Sequence, residues 1–137
     1  MLEISAKTPQ ALLPTDILFQ TPYWAHVKSR LGFKPLAFDL AAQRCGDVLV
    51  LLQPFGPKKI AVVPQGPEFE PDEENYGPFL EEFSLALARN LGPDVAFIRY
   101  DLPWKSHYAD EMRTWGWTAF PAPRIREMRM NMGTRHW

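Results

Sequence analysis
Cysteine occurs once in the 137 residues, at Cys45. That excludes an internal disulfide framework and every metal centre built on several thiolates. Net charge is scarce too, at -1, so the chain has no general attraction for nucleic acid. No apolar run approaches the ~20 residues that a bilayer-spanning helix needs. The first ten residues lack the basic and apolar regions of a signal peptide. Histidines number three, and His26, His107 and His136 show no ligand spacing, so no metal is expected. Together these absences predict a cytoplasmic, reducing location.

What is present describes a globular chain. Hydrophobic residues make up 46% and charged residues 23%, close to the globular average. The length suits one domain, residues 1–137. Proline is abundant, with 14 residues, and it falls at predicted element ends (Pro22, Pro35, Pro54, Pro64, Pro93), where it punctuates structure. Aromatic residues reach 13%, including five tryptophans.

The hydrophobic pattern predicts an ordered set of elements. Asp16 is expected to cap a helix whose useful part is 23–31, with Trp24, Val27 and Leu31 on one apolar face and Gly32 closing it. A short strand follows at 36–40, then a hairpin-type connection at 43–47 that contains Cys45. The almost wholly apolar run 48–53 reads as a central strand covered on both faces. Residues 54–57 turn the chain into a strand at 59–63. A long helix is predicted at 75–91, where Phe79, Phe83, Ala86 and Leu87 recur at helical spacing. Gly92-Pro93 stops it, and a buried strand spans 95–100. A third helix is expected at 106–114, with two last strands near 117–120 and 126–131. Over the latter, Met128, Met130 and Met132 alternate with Arg129 and Asn131.

The stretch from Val62 to Pro103 bears most directly on a site. A strand breaks at Gln65-Gly66-Pro67, an acidic loop and the long helix follow, and a second strand ends in Asp101-Leu102-Pro103-Trp104. This is a crossover unit if the two strands are parallel. Ligands of such sheets favour the crevice beyond the carboxyl ends of the strands. Gly66 and Asp101 are therefore expected to flank one opening in a splayed sheet. Pyrophosphate is a poor fit at the turn. Pro64 and Pro67 have no N–H, and Glu68, Glu70, Asp72, Glu73 and Glu74 would repel it. At ~5 Å and an effective dielectric near 20, each such repulsion is worth ~3 kcal/mol. No cofactor is expected, and coenzyme A is disfavoured at this turn.

The order α-β-β-β-α-β-α-β-β matches an α/β (α+β), GNAT-like mixed sheet flanked by helices. In that fold the fourth and fifth strands splay where ligand enters. Three segments then carry a more specific resemblance: Gln20-Thr21-Pro22-Tyr23-Trp24-Ala25-His26-Val27-Lys28, Val63-Pro64-Gln65-Gly66-Pro67, and Phe97-Ile98-Arg99-Tyr100-Asp101-Leu102-Pro103. They resemble the N-terminal half of the Fem (FemABX) family, whose members read Q-S/T-x-x-W-A-x-x-K, P-R-G-P and F-I-R before D-x-P. Gln65 departs from the family's usual arginine. The resemblance spans residues 19–104. It implies the first of two GNAT-like repeats, with the second repeat absent from this chain and the segment 124–137 resembling an inter-repeat connection.

The same resemblance implies transfer of an amino acid from aminoacyl-tRNA to the stem peptide of a peptidoglycan precursor, forming an interpeptide bridge. The partners implied are a nucleotide- or lipid-linked muramyl pentapeptide, aminoacyl-tRNA through the missing half, and a homodimer through the exposed repeat interface. The inner face of the membrane becomes the implied place of action. Two other functions stay open: a non-catalytic structural or dimerising module, and an acyl-CoA N-acetyltransferase.

The substrate-binding candidates are Trp24, Lys28, Gln65, Gly66, Arg99, Tyr100, Asp101 and Trp104; no catalytic residue is assigned. Each has a plainer reading. Trp24 either stacks on a precursor or fills the core. Lys28 either meets ligand or is a solvated surface residue. Arg99 needs a partner, either Asp101 or a ligand phosphate. Tyr100, Asp101 and Trp104 are best placed at a strand end, where they either touch a ligand or only prop the cleft. The late arginines, Arg124, Arg126, Arg129 and Arg135, suit a basic strand face as well as a nucleic-acid strip.

Overall fold
Side chains alternate along each strand, and here the alternation sorts the apolar residues onto two faces of one sheet. The computed structural model describes residues 2–41, 45–104 and 128–131. Six strands are present among them: β1 (Glu3–Lys7), β2 (Lys34–Ala41), β3 (Cys45–Phe55), β4 (Lys58–Pro64), β5 (Val95–Asp101) and β6 (Met128–Asn131). Their spatial order is the chain order. Every neighbouring pair is antiparallel except β4 and β5, which are parallel. Two α-helices complete the frame, α1 (Pro22–Arg30) and α2 (Tyr76–Leu91), and α2 joins the two parallel strands. The protein is thus a mixed α+β molecule.

The run from Val48 to Leu52 is buried throughout, as a strand covered on both faces requires. Val48, Val50 and Leu52 join Phe38, Val63, Ile98 and Tyr100 in one cluster with Leu80, Phe83 and Leu87 of α2. Leu49 and Leu51 face the other way and pack with Ala37 and with Ala25 of α1. The helices therefore sit on opposite faces. Helix α2 buries Tyr76, Leu80, Phe83, Leu87 and Leu91, a stripe at helical spacing. Gly92 ends it at φ 94°, a left-handed conformation that costs glycine little.

Several expectations change. Thr21, not Asp16, caps α1: its hydroxyl accepts from the Trp24 N–H at 3.2 Å. Pro22 occupies the first helical position, where its missing N–H costs nothing. Leu31 lies past the helix end and is 66% exposed, so the buried face of α1 rests on Ala25 instead. Cys45 begins β3, paired with Ala41, and does not sit in the turn. Strand β1, which pairs with the edge of β2, was not expected. Residues 106–114 and 117–120, His107, His136 and most of the late arginines lie outside the described residues.

The largest correction concerns the splay. β4 and β5 stay paired to Pro64↔Asp101, and the Gly66 N–H donates to the Asp101 carbonyl at 3.2 Å. No gap opens there. The divergence lies one strand over. The β3–β4 ladder stops at Leu51↔Val62, and where its register would next bring Leu49 opposite Pro64, the Gln20 amide intervenes. Its Nε2 donates to the carbonyls of Pro64 at 2.6 Å and Leu49 at 3.3 Å, and its Oε1 accepts from the Leu49 N–H at 2.8 Å.

Candidate functional site
Helix α1 has only nine residues and cannot cover the whole face beneath it. Beyond its edge lies a cavity of about 520 Å³. Leu51, Val62 and Pro64, from β3 and β4, contribute apolar lining. Trp24 and Phe19 supply an aromatic wall, with ring centroids 4.6 Å apart. Phe33, just before β2, and Lys28 of α1 also line it. Gln53, Arg99 and Asp101 add polar groups from strand positions on this face.

Four expected site residues, Trp24, Lys28, Arg99 and Asp101, thus come together. Arg99 and Asp101 do so because residues two apart on a strand share a face. The Lys28 ammonium lies over two rings, 4.6 Å from the centroid of Phe33 and 5.2 Å from that of Trp24. Such placement within about 6 Å of a ring face is attractive.

The other four lie elsewhere. Tyr100 alternates to the α2 face and is fully buried, its hydroxyl 2.7 Å from the Ser84 hydroxyl. Burial pushes the phenol well above its ordinary range, and the hydrogen bond with Ser84 offsets part of that rise. Trp104 is also fully buried; its indole N–H donates to the Pro67 carbonyl at 2.9 Å, and its ring lies against Tyr76 and Phe79. Both are core residues that fix the ends of the crossover. Gln65 and Gly66 form the turn after β4, Gln65 with φ 52°, and the Gly66–Pro67 peptide is cis. Gly66 is buried against Gln20: a Cβ there would lie 2.7 Å from the Gln20 Nε2.

That turn has little to offer an anion. Pro64 and Pro67 have no N–H, and the Gly66 N–H is already engaged by Asp101. The acidic loop is partly held within the protein as well. Glu68 accepts from the Thr15 hydroxyl at 2.9 Å and Glu70 from the Tyr76 hydroxyl at 2.6 Å. Burial, followed by the bond to Glu70, pushes the Tyr76 phenol up to about 12.

Gln20 and Phe33 escaped sequence reasoning as site-building residues. Gln20 begins the helix-entry motif, but a polar residue before a helix reads as solvated. Phe33 follows the Leu31-Gly32 turn, and only the reversal there brings its ring back to Lys28. No group of three or more His, Cys, Asp or Glu that could hold a metal ion occurs among the described residues. No helix among them is long and apolar enough to cross a membrane. No family model, curated protein or solved structure matches this chain.

Proposed function
We propose that this chain is a GNAT-like half of a FemABX-type aminoacyltransferase and that the cavity beside α1 holds the peptidoglycan precursor. One observation carries the proposal. Trp24 and Lys28 from the first resembling segment, and Arg99 and Asp101 from the last, line the same cavity although they are far apart in sequence. The parallel β4–α2–β5 crossover agrees with the GNAT-like reading. The closed β4–β5 junction departs from it, so the proposal puts the site on the face of the sheet and not between those strands.

The chemistry suits a ligand carrying both signs. A lysine at an aromatic wall favours an anionic tether such as a linking phosphate. A half-buried carboxylate at a strand end favours the amine that accepts the amino acid. In aminoacyl transfer that amine attacks the ester carbonyl of the donor, and holding it in place supplies much of the rate. The donor aminoacyl-tRNA falls to the second repeat in this proposal.

The test is titration of the purified chain with nucleotide-linked muramyl pentapeptide, followed by calorimetry. Lys28→Met and Asp101→Asn should each weaken binding about tenfold, the loss of a charge-assisted contact of about 1.4 kcal/mol. Unchanged affinity in both variants overturns the proposal. A second reading, a dimerising module, draws on the exposure of Leu18, Tyr23 and Leu31, at 52%, 65% and 66%. A concentration-dependent dimer in sedimentation velocity, with no precursor binding, would favour it. The acyl-CoA reading fares worst, because the turn that would cradle a pyrophosphate has its Gly66 N–H engaged.

A further inference from the structure
Lys28 follows Trp24 by four residues on α1, so the two side chains share one helical face. The chain then reverses at Leu31–Gly32, with Gly32 at φ 95°, and the Phe33 N–H donates to the Lys28 carbonyl at 3.1 Å. That bond fixes Phe33 beside the helix it has just left. Its ring reaches the Lys28 ammonium at 4.6 Å from the opposite side of the local sequence to Trp24, whose ring lies at 5.2 Å. All three residues line the cavity. A lysine side chain otherwise has a flexible four-carbon stem and a strongly hydrated head. Two ring faces attract that head without neutralising it.

We propose that Phe33, together with Trp24, is a positioning residue that presets the Lys28 ammonium for the anionic part of the ligand. The identity of the ligand rests on the precursor-binding reading above; the preset ammonium does not. A plainer role for Phe33, covering apolar surface, predicts a different outcome. Leucine would replace the covering area but not the negative ring face, whereas tyrosine would replace both.

The experiment follows the Lys28 ε-methylene resonance by NMR, assigned through its loss in Lys28→Met. In the free protein it should lie upfield of the other lysines through ring currents. It should move back in Phe33→Leu and stay in place in Phe33→Tyr, with all variants checked for folding by thermal melts. Binding of nucleotide-linked muramyl pentapeptide should weaken about fivefold in Phe33→Leu, recover in Phe33→Tyr, and show no effect of Phe33→Leu in the Lys28→Met background.

An unshifted Lys28 resonance in the wild type, or one indifferent to Phe33→Leu, overturns the proposal. So does an equal loss of affinity from Phe33→Leu with and without Lys28. If the wild type does not bind the precursor at all, the functional reading fails separately. Inorganic pyrophosphate then serves as the probe: it should perturb the Lys28 resonance at a severalfold lower concentration in the wild type than in Phe33→Leu, and equal concentrations would overturn the preset ammonium.

Discussion
A single side-chain amide does at Gln20 what a rung of backbone hydrogen bonds would do between β3 and β4. It is 5% exposed and serves the Leu49 N–H and the carbonyls of Leu49 and Pro64. Buried backbone groups left without partners cost about 1–3 kcal/mol each. Gln20→Ala should therefore destabilise the protein by about 3 kcal/mol, read as a lower midpoint in urea unfolding. Gly66→Ala should destabilise as well, by about 1–3 kcal/mol, because its new Cβ meets the Gln20 amide at 2.7 Å. The clash vanishes once the amide is gone, so the double variant should be less destabilised than the sum of the two; strict additivity would show that the residues are not coupled. The resembling segments carried Trp24, Lys28, Arg99 and Asp101 to the candidate site. They misplaced Tyr100 and Trp104 because position at a strand end does not say which face a side chain takes, and the far face was already committed to α2.

Strong periodicity made some elements legible and left others hidden. α2 and β5 lie within a residue of their expected bounds because their apolar stripes face a real core. β1 is hard to read because its polar–apolar alternation runs for only five residues with Ile4 and the small Ala6 as its apolar members, and an edge strand is defined by its neighbour β2. Its attachment also depends on charge, which periodicity does not record. The Lys7 ammonium reaches Asp39 of β2 at 2.7 Å and Asp47 of β3 at 2.6 Å, tying three strands together.

Those ties set a pH dependence. Burial pulls the Lys7 ammonium down, but its bonds to Asp39 and Asp47 outweigh this and hold it above its usual 10.5. The bond from Lys7, then the one involving Asp47, lowers the Asp39 carboxyl below its usual 3.8. Asp39 therefore contributes stability above pH 3.8 that is lost as pH falls through its lower folded value. Lys7 contributes stability below pH 10.5 that is lost as pH rises through its higher folded value. The stability difference between wild type and Lys7→Met should be level at neutral pH and shrink at both extremes in denaturant titrations. A difference unchanged at pH 3 and pH 11 would deny the ties their role.

Across the whole molecule the sheet separates a sealed face from a serviceable one. On the α2 side Val63, Leu80, Phe83, Ile98 and Tyr100 are at 0% exposure, so the layer between the sheet and that helix is packed shut. On the α1 side a short helix covers Ala37, Leu49 and Leu51 and leaves the cavity where β3, β4 and β5 emerge beyond it. Occupancy of that cavity should stiffen what lines it and leave the sealed face as it was. Amide hydrogen exchange with and without nucleotide-linked muramyl pentapeptide separates the two. Exchange should slow in α1, in the Leu31–Phe33 reversal and at the carboxyl ends of β4 and β5, where opening of α1 exposes the amides. Amides of α2 should exchange at the same rate in both states, because their opening requires loss of the core and not of the cavity wall. Protection appearing first in α2 or in the acidic loop at Glu68–Glu74 would place the ligand on the other side of the sheet. It would also make Lys28 and Asp101 ordinary surface charges.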